Sequence, residues 1–565
     1  TFEYDALDRR TKMIDGIGTT TWAYVEGCTK ETSVDGPFQN DTVSYGYDSK
    51  KRLTNLTYCG MSVGYGFDAL DRIASVSAPE GVYAYTYAGN GRLPAELQRP
   101  NGVKTVYQYD RLSRLTNLVH QKSSGEVLLS FAYAYDDHDQ RTRVVREDGR
   151  YIDYGYDPIG QLTSADGKMP DGSPWPGYSF RYAYDPAGNP TSKVENGFIT
   201  VSEYNDLNQI TTSGWSGVMA VMGSLNITDA TVTVNGQPAS LLPDSSFAVT
   251  NLGVAPGTNV WTALATDLFG RTATSLVSVV ASGKIYSHDP NGNLAYDGEF
   301  AYVFDNADRL VEVRNLATSL PVMQCRYDGT GRRMENIEIV NGDPSTNRYV
   351  YDVWNTLGVL DGRSSILEVN VRGIDLSGTL YEAGGIGGLI GISVPEVGGP
   401  LYVTSMHTAN GDTCATLLPQ GLTRYEYSPF GTPINIGMSK AFRNLFSSKE
   451  FDINTRTSYF GYRFFLPSLC RWISRDPIGE SGGENVYQYA LNDPLQKYDP
   501  IGLSADVECS DQTFFPSPQK PLIPEWLENI FRGAAKFIDP NYGKPMPPPP
   551  WCPECPMVDG NGFRG

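Results

Sequence analysis

Along most of the chain, aromatic residues alternate with small or polar ones and then meet an acid and a turn. Tyr107-Gln-Tyr-Asp-Arg-Leu-Ser-Arg-Leu-Thr is one copy. Phe2-Glu-Tyr-Asp, Tyr45-Gly-Tyr-Asp, Tyr65-Gly-Phe-Asp, Tyr154-Gly-Tyr-Asp, Tyr182-Ala-Tyr-Asp, Tyr302-Val-Phe-Asp and Arg326-Tyr-Asp open others. Alternate spacing puts both rings on one face of a strand. The Asp carboxylate can accept backbone N–H groups two residues on, and a following Pro presets the dihedral a turn needs. Gly, Asn or Asp at the end of the turn tolerates a positive φ, and a Leu or Ile starts the return strand. Each unit therefore predicts a β-hairpin, and serial hairpins can pair edge to edge into one long winding sheet.

The pattern stops between residues 217 and 283. Short Val/Thr/Ala strands replace it, among them Thr231-Val-Thr-Val-Asn-Gly and Asn259-Val-Trp-Thr-Ala-Leu-Ala, with turns at Asn235-Gly236 and Phe269-Gly270. This spacing predicts a small inserted β-sandwich lying outside the repeat sheet. It resembles bacterial Ig-like modules. The repeat resumes at Tyr286-Ser-His-Asp-Pro-Asn-Gly-Asn-Leu. The run Glu382-Ala-Gly-Gly-Ile-Gly-Gly-Leu-Ile-Gly lacks the Lys-Ser/Thr or strand-to-helix setting of a phosphate loop, so it predicts a close backbone approach instead.

After Leu503 the composition changes. Residues 504–565 hold a stretch of helical periodicity, in which Trp526, Leu527, Ile530, Phe531, Ala534 and Phe537 share a face, followed by the proline-rich Pro545 to Pro550. Cys552-Pro-Glu-Cys555 has the spacing of half a zinc site or a redox pair, without a second half. It is a weak metal candidate.

Composition narrows the classes. A formal charge of −19 argues against a nucleic-acid surface, which needs clustered Lys and Arg. Eight scattered Cys do not make a disulfide framework. No apolar run is long enough to span a bilayer as a helix. The four His (120, 138, 288, 407) have no metal spacing, with His138 and His288 placed in turns facing solvent. No cofactor is predicted. The chain begins mid-repeat, which predicts that a longer protein precedes it.

Gly461-Tyr-Arg463, Arg471-Trp-Ile-Ser-Arg-Asp-Pro, Asn485-Val-Tyr-Gln-Tyr and Tyr498-Asp-Pro-Ile-Gly-Leu503 recur in this order in the core-closing segment of the Rhs/YD-repeat family, which the chain resembles through Leu503. The resemblance implies a mostly β fold in which YD hairpins spiral into a hollow shell, as in teneurin-like proteins. The shell would take residues 1–216 and 284–400, the insert 217–283, the closing core 401–503, and the variable tail 504–565. It also implies self-cleavage between Leu503 and Ser504, with Asp476 and Asp499 as the carboxylate pair and Arg475 tuning their charge or holding the carbonyl oxygen. Asp493 is the alternative partner. The counter-reading is that these acids are turn residues, since the same Asp-Pro-x-Gly stands at Asp157, Asp185 and Asp289.

Three functional classes follow. The first is a secreted or envelope-associated shell scaffold that encloses or presents its own C-terminal peptide, with self-cleavage as its only chemistry. The second is a polymorphic-toxin delivery shell with the tail as warhead, reaching its target through a secretion apparatus. The third is surface adhesion through glycan binding.

Overall fold

The computed structural model describes residues 1–225, 229–340, 342–434, 442–503 and 507–508. The tail helix and proline run expected after Leu503, and Cys552 and Cys555, lie outside the described residues.

Among the described residues the chain is almost wholly antiparallel β. From Phe2–Tyr4 to Ile210–Ser224 each strand pairs with the next, and with three strands around the insert they form a 23-stranded sheet. Ser287–His288 through Gly421–Arg424 form a second meander of 13 strands. The second sheet runs alongside the first in the same order. Gly329 N–H donates to Asp15, Tyr45 to Asp352, Tyr58 to the Asn370 carbonyl, Arg99 to the Ser405 carbonyl, and Arg146 to Glu426. The hairpins thus spiral, and the largest core clusters join both passes.

One unit shows why the repeat is written as it is. Asp68 Oδ1 accepts the N–H groups of Leu70 and Arg72 at 2.9 and 3.0 Å, and its Oδ2 accepts Arg72 Nε at 2.7 Å. Asp110 with Arg114 and Asp305 with Arg309 repeat this. The residue ending the turn has φ near +60°, as at Asp71, Asp308 and even Lys51. Where the second aromatic of a unit is Tyr, sitting at a register shift, its hydroxyl can reach back to the carbonyl that opens a preceding strand. Tyr87 reaches Ile73 at 2.6 Å, Tyr109 reaches Pro94 at 3.0 Å, and Tyr156 reaches Arg141 at 2.8 Å. The turn arginine also covers the next unit's ring, with Arg72 4.2 Å from the Tyr87 centroid. Tyr rather than Phe at this place latches one hairpin to its predecessor. Ser428, standing where Asp is usual, still accepts Thr432 N–H at 3.0 Å.

The insert grows out of the long strand Ile210–Ser224, whose far half pairs with Ser246–Gly253. A second sheet of four strands centred on Ala230–Val234 and Gly257–Asp267 covers it. Val232, Val234, Phe247 and Trp261 make a separate core. It is anchored to the repeats by Arg150, paired with Asp244 at 2.6 Å.

Residues 442–503 pack across the repeats. A four-stranded sheet from Glu450–Asp452 to Arg471–Trp472 leads an aromatic cluster of Phe446, Phe460, Phe465, Trp472 and Tyr489, and residues of the segment bond both passes. Arg471 donates to Asn208, Asn492 to Gly188, and Tyr487 to Gly292. Tyr487 also takes the ring of His288 edge-on, so this histidine is half-buried in a strand and does not face solvent from a turn.

Candidate functional site: two carboxylates on one guanidinium

Gly461, at φ +123°, turns the chain against Trp354 and the Ile501 carbonyl, and Arg463 then enters the strand edge with its side chain inward. Its guanidinium lies 4.2 Å from the Trp472 ring and is 2% exposed. Nε donates to the Gly502 carbonyl at 2.7 Å and Nη1 to the Val486 carbonyl at 3.3 Å. Nη2 meets Asp476 Oδ2 at 2.9 Å and Asp499 Oδ2 at 3.0 Å.

Asp499 is committed on both oxygens. Its Oδ1 accepts N–H from Ile501, Gly502 and Leu503 at 3.3, 2.7 and 3.0 Å, which wraps the last turn before Ser504 around the carboxylate. Asp476 is less engaged, its Oδ1 accepting only Ile478 N–H at 3.0 Å. Burial pushes its carboxyl up to about 6, assisted by the charge of Asp499 and opposed by Arg463 and by the Ile478 hydrogen bond. Leu503 is buried among Ile501, Trp354, Tyr462 and Ile478. Its carbonyl oxygen and Asp476 Oδ2 converge on Gly482: a Cβ there would stand 3.1 Å from the first and 2.5 Å from the second. Beyond the bond the chain returns, Val507–Glu508 pairing antiparallel with Lys497–Tyr498.

The Gly-rich run supplies the other wall. Gly384, at φ +60°, would drive a Cβ to 2.2 Å from the Pro500 carbonyl oxygen, so only glycine fits this approach. Lys449 Nζ joins the two backbones, donating to Pro500 O at 2.7 Å and Gly384 O at 2.9 Å. Burial lowers this lysine to about 7, helped by the charge of Arg372 and opposed by Asp499 and Asp375.

Of the residues named from sequence, Asp476 and Asp499 come together beside Leu503. Arg475 does not join them. It is exposed, with its aliphatic stem against Gly292, because its neighbour Asp476 points to the interior while Arg475 points out. The arginine between the acids is Arg463. Asp493 is buried elsewhere; burial pushes it up to about 6, and the charges nearest it are Arg141 and Lys497. Ser504 lies outside the described residues. Sequence reasoning missed the bridging role of Arg463, although the Gly461-Tyr-Arg463 tripeptide marked it, and missed Lys449 and Gly482, which carried no mark.

An arginine between the acids changes the chemistry. The shared guanidinium places one positive charge against both buried acids. Asp499 then holds the peptide turn, and Asp476 is the group free to exchange a proton near neutral pH.

No protein-family model matches the chain. Three curated relatives are toxins or nucleases by name. The chain is 28% identical over 225 residues to the tRNA3(Ser)-specific nuclease WapA of Bacillus spizizenii, a match covering 38% of this chain and 9% of that protein. It is 27% identical over 259 residues to the toxin protein Tse5 of Pseudomonas aeruginosa, covering 39% and 19%. It is 25% identical over 475 residues to the toxin subunit YenC2 of Yersinia entomophaga, covering 74% and 42%. The chain thus spans less than half the length of each. A solved structure of TcdB2-TccC3 without its hypervariable C-terminal region overlaps 89% of this chain and 27% of its own, at 16% identity and TM-score 0.44. The relatives are Rhs- and Tc-type toxin proteins. No helix among the described residues is long and apolar enough to cross a membrane.

Proposed function

We propose that this chain is the shell portion of a secreted or envelope-associated Rhs/YD-repeat toxin protein, which encloses the segment after Leu503 and severs it by hydrolysing its own Leu503–Ser504 bond. The reading is carried by one observation: two buried acids share Arg463, one wrapped by the N–H groups of residues 501–503 and the other beside the Leu503 carbonyl. Asp476 takes a proton from water as the oxygen attacks the Leu503 carbonyl carbon. It returns that proton to the Ser504 nitrogen as the C–N bond breaks, leaving a Leu503 carboxylate. Arg463 balances the charge of the acids, and Asp499 holds the turn. The likeness to a toxin protein and a toxin subunit supports delivery of a toxic tail over a purely inert scaffold. The insert, with its own two-layered core, is read as an Ig-like module displayed by the shell.

Cell-free synthesis tests the cut without a host. Two products, the smaller beginning at Ser504, are expected from wild type and one product from Asp476→Asn. A single wild-type product would contradict the proposal. Inducible expression of residues 504–565 alone addresses the tail: growth arrest supports the toxin reading, and unimpaired growth returns the chain to the scaffold class.

A further inference from the structure

Where the two passes of the spiral meet, a cleft of about 110 Å³ runs from the turn residues Ser113 and Asp139 inward to Arg99, His120 and His407. Its walls are Tyr rings and the side chains of Leu97, Leu118 and Ile374, with Arg114 paired to Asp139 at the mouth, Arg141 along one side, and Asp375, whose oxygens accept N–H from Ser377, Ala383 and Gly385, on the other. Arg99 is 3% exposed, and among the described residues no carboxylate stands within ion-pair distance of it. Several interior guanidinium groups face acids, Arg150 meeting Asp148 and Asp244, Arg333 meeting Glu450, and Arg463 meeting its two aspartates, whereas the buried Arg372 and Arg471, like Arg99, donate to backbone carbonyls; of these three, Arg99 is the one that lines this cleft.

The neighbours of Arg99 form a chain of neutral hydrogen bonds with no anion in it. Nη1 donates to Thr105 Oγ1 at 2.7 Å, and Nη2 donates to the Ser405 carbonyl at 3.2 Å. With its oxygen so used, the Thr105 hydroxyl donates to His120 Nδ1 at 2.9 Å, and His120 Nε2–H donates to the His407 carbonyl at 2.9 Å. Both ring nitrogens of His120 are then satisfied in the neutral tautomer. Arg99 Nε has no acceptor. The cleft therefore ends on a fixed, buried cation with one N–H unpaired, in surroundings that disfavour a lone charge.

We propose that this cleft binds a small organic monoanion, a carboxylate with a short aliphatic body, whose oxygens accept from the Arg99 edge while its carbons lie against the leucine and tyrosine walls. A monoanion fits because the inner end of the cleft presents Arg99 without a carboxylate partner, while the cleft's own acids are engaged elsewhere, Asp139 by Arg114 and Asp375 by backbone N–H groups. The small body follows from the volume, which is below the roughly 150 Å³ of an apolar cavity that holds benzene. The site is separate from the Asp476 and Asp499 cluster and does not depend on cleavage.

Saturation-transfer NMR and calorimetric titration of the full chain with isobutyrate and with its neutral isostere isobutyramide test this. Isobutyrate should bind, and the amide about tenfold more weakly or worse, the ratio expected when a charge-assisted hydrogen bond is lost. Arg99→Met should weaken isobutyrate by a similar factor. Binding of neither probe, equal binding of both, or unchanged isobutyrate affinity in Arg99→Met would overturn the proposal. Should Arg99→Met fail to fold, the acid-against-amide ratio on the wild-type chain decides alone.

Discussion

The tetrapeptide Asp-Pro-Ile-Gly occurs at residues 157–160 in a repeat and at 476–479 and 499–502 in the closing segment. At the first place Asp157 accepts Ile159 and Gln161 N–H at 3.1 and 2.9 Å, the Gln161 side chain completes the turn, and Ile159 is 78% exposed. At the last place Asp499 performs the same capping, but Ile501 is 7% exposed and the second oxygen faces a buried guanidinium. Local sequence sets the turn in both. Burial, and a cation delivered from 36 residues away, set the closing acid apart from its repeat counterpart. In the repeats the partner is four residues on and the pair is partly exposed, as with Asp68 and Arg72.

The strongest break of this comparison is the loss of the cut. Asp476→Asn should slow self-cleavage by about 10²–10⁴-fold, the usual worth of a positioned acid–base group, as read by the fraction of processed chain over time. Asp499→Asn should act similarly through the lost turn, whereas Asp157→Asn should leave processing unchanged. Equal loss in all three would mean that the turns matter only for folding.

Next in size is the removal of the shared cation. Arg463→Met leaves two buried acids without their partner and should cost about 3–5 kcal/mol in denaturant unfolding of the shell. Arg72→Met in a repeat should cost about 1 kcal/mol or less, since its pair is partly solvated.

The pH dependence sharpens the contrast further. Asp476 is raised from 3.8 to about 6, so the folded protein holds its proton more tightly than the unfolded chain does. The stability it contributes is complete below pH 3.8 and lost as pH rises through about 6, a change of about 3 kcal/mol. The difference between wild-type and Asp476→Asn unfolding curves from pH 3.5 to 7.5 should show this slope. Over the same range the cleavage rate should rise and level off above about pH 6, since the ionised form is the base. Repeat acids such as Asp68 and Asp110 shift the other way: burial acts to raise their carboxyls, but the hydrogen bonds of the turn and the charge of Arg72 or Arg114 together hold them below the usual range.

A smaller effect is expected at Gly482. A Cβ there would press on Asp476 and the Leu503 carbonyl, so Gly482→Ala should slow cleavage about tenfold while leaving the unfolding free energy within about 1 kcal/mol of wild type.

The repeats were legible because every determinant of a hairpin lies within a dozen residues: the aromatic alternation, the acid, and the positive-φ position. The latch was less so. That Tyr87 bonds Ile73 could be guessed from Tyr recurring at the second aromatic place, but not its target. At the closing segment, the Asp-Pro-Ile-Gly motif by itself read as a turn, and it was the family resemblance that pointed to Asp476 and Asp499, with Arg475 named as their neighbour. Adjacent residues point to opposite sides of an extended chain, and Arg463 arrives instead from the residue preceding the strand Phe464–Leu466. Gly384 and Lys449 close the site from more than 50 residues away, a distance at which no local pattern speaks.

Intact-mass spectrometry of the purified wild-type chain, held at pH 7 and denatured just before injection, tests the central claim most directly. The buried pair on Arg463 predicts two masses, a body ending at Leu503 and a piece starting at Ser504. One mass, that of the uncut 565-residue chain, would contradict it.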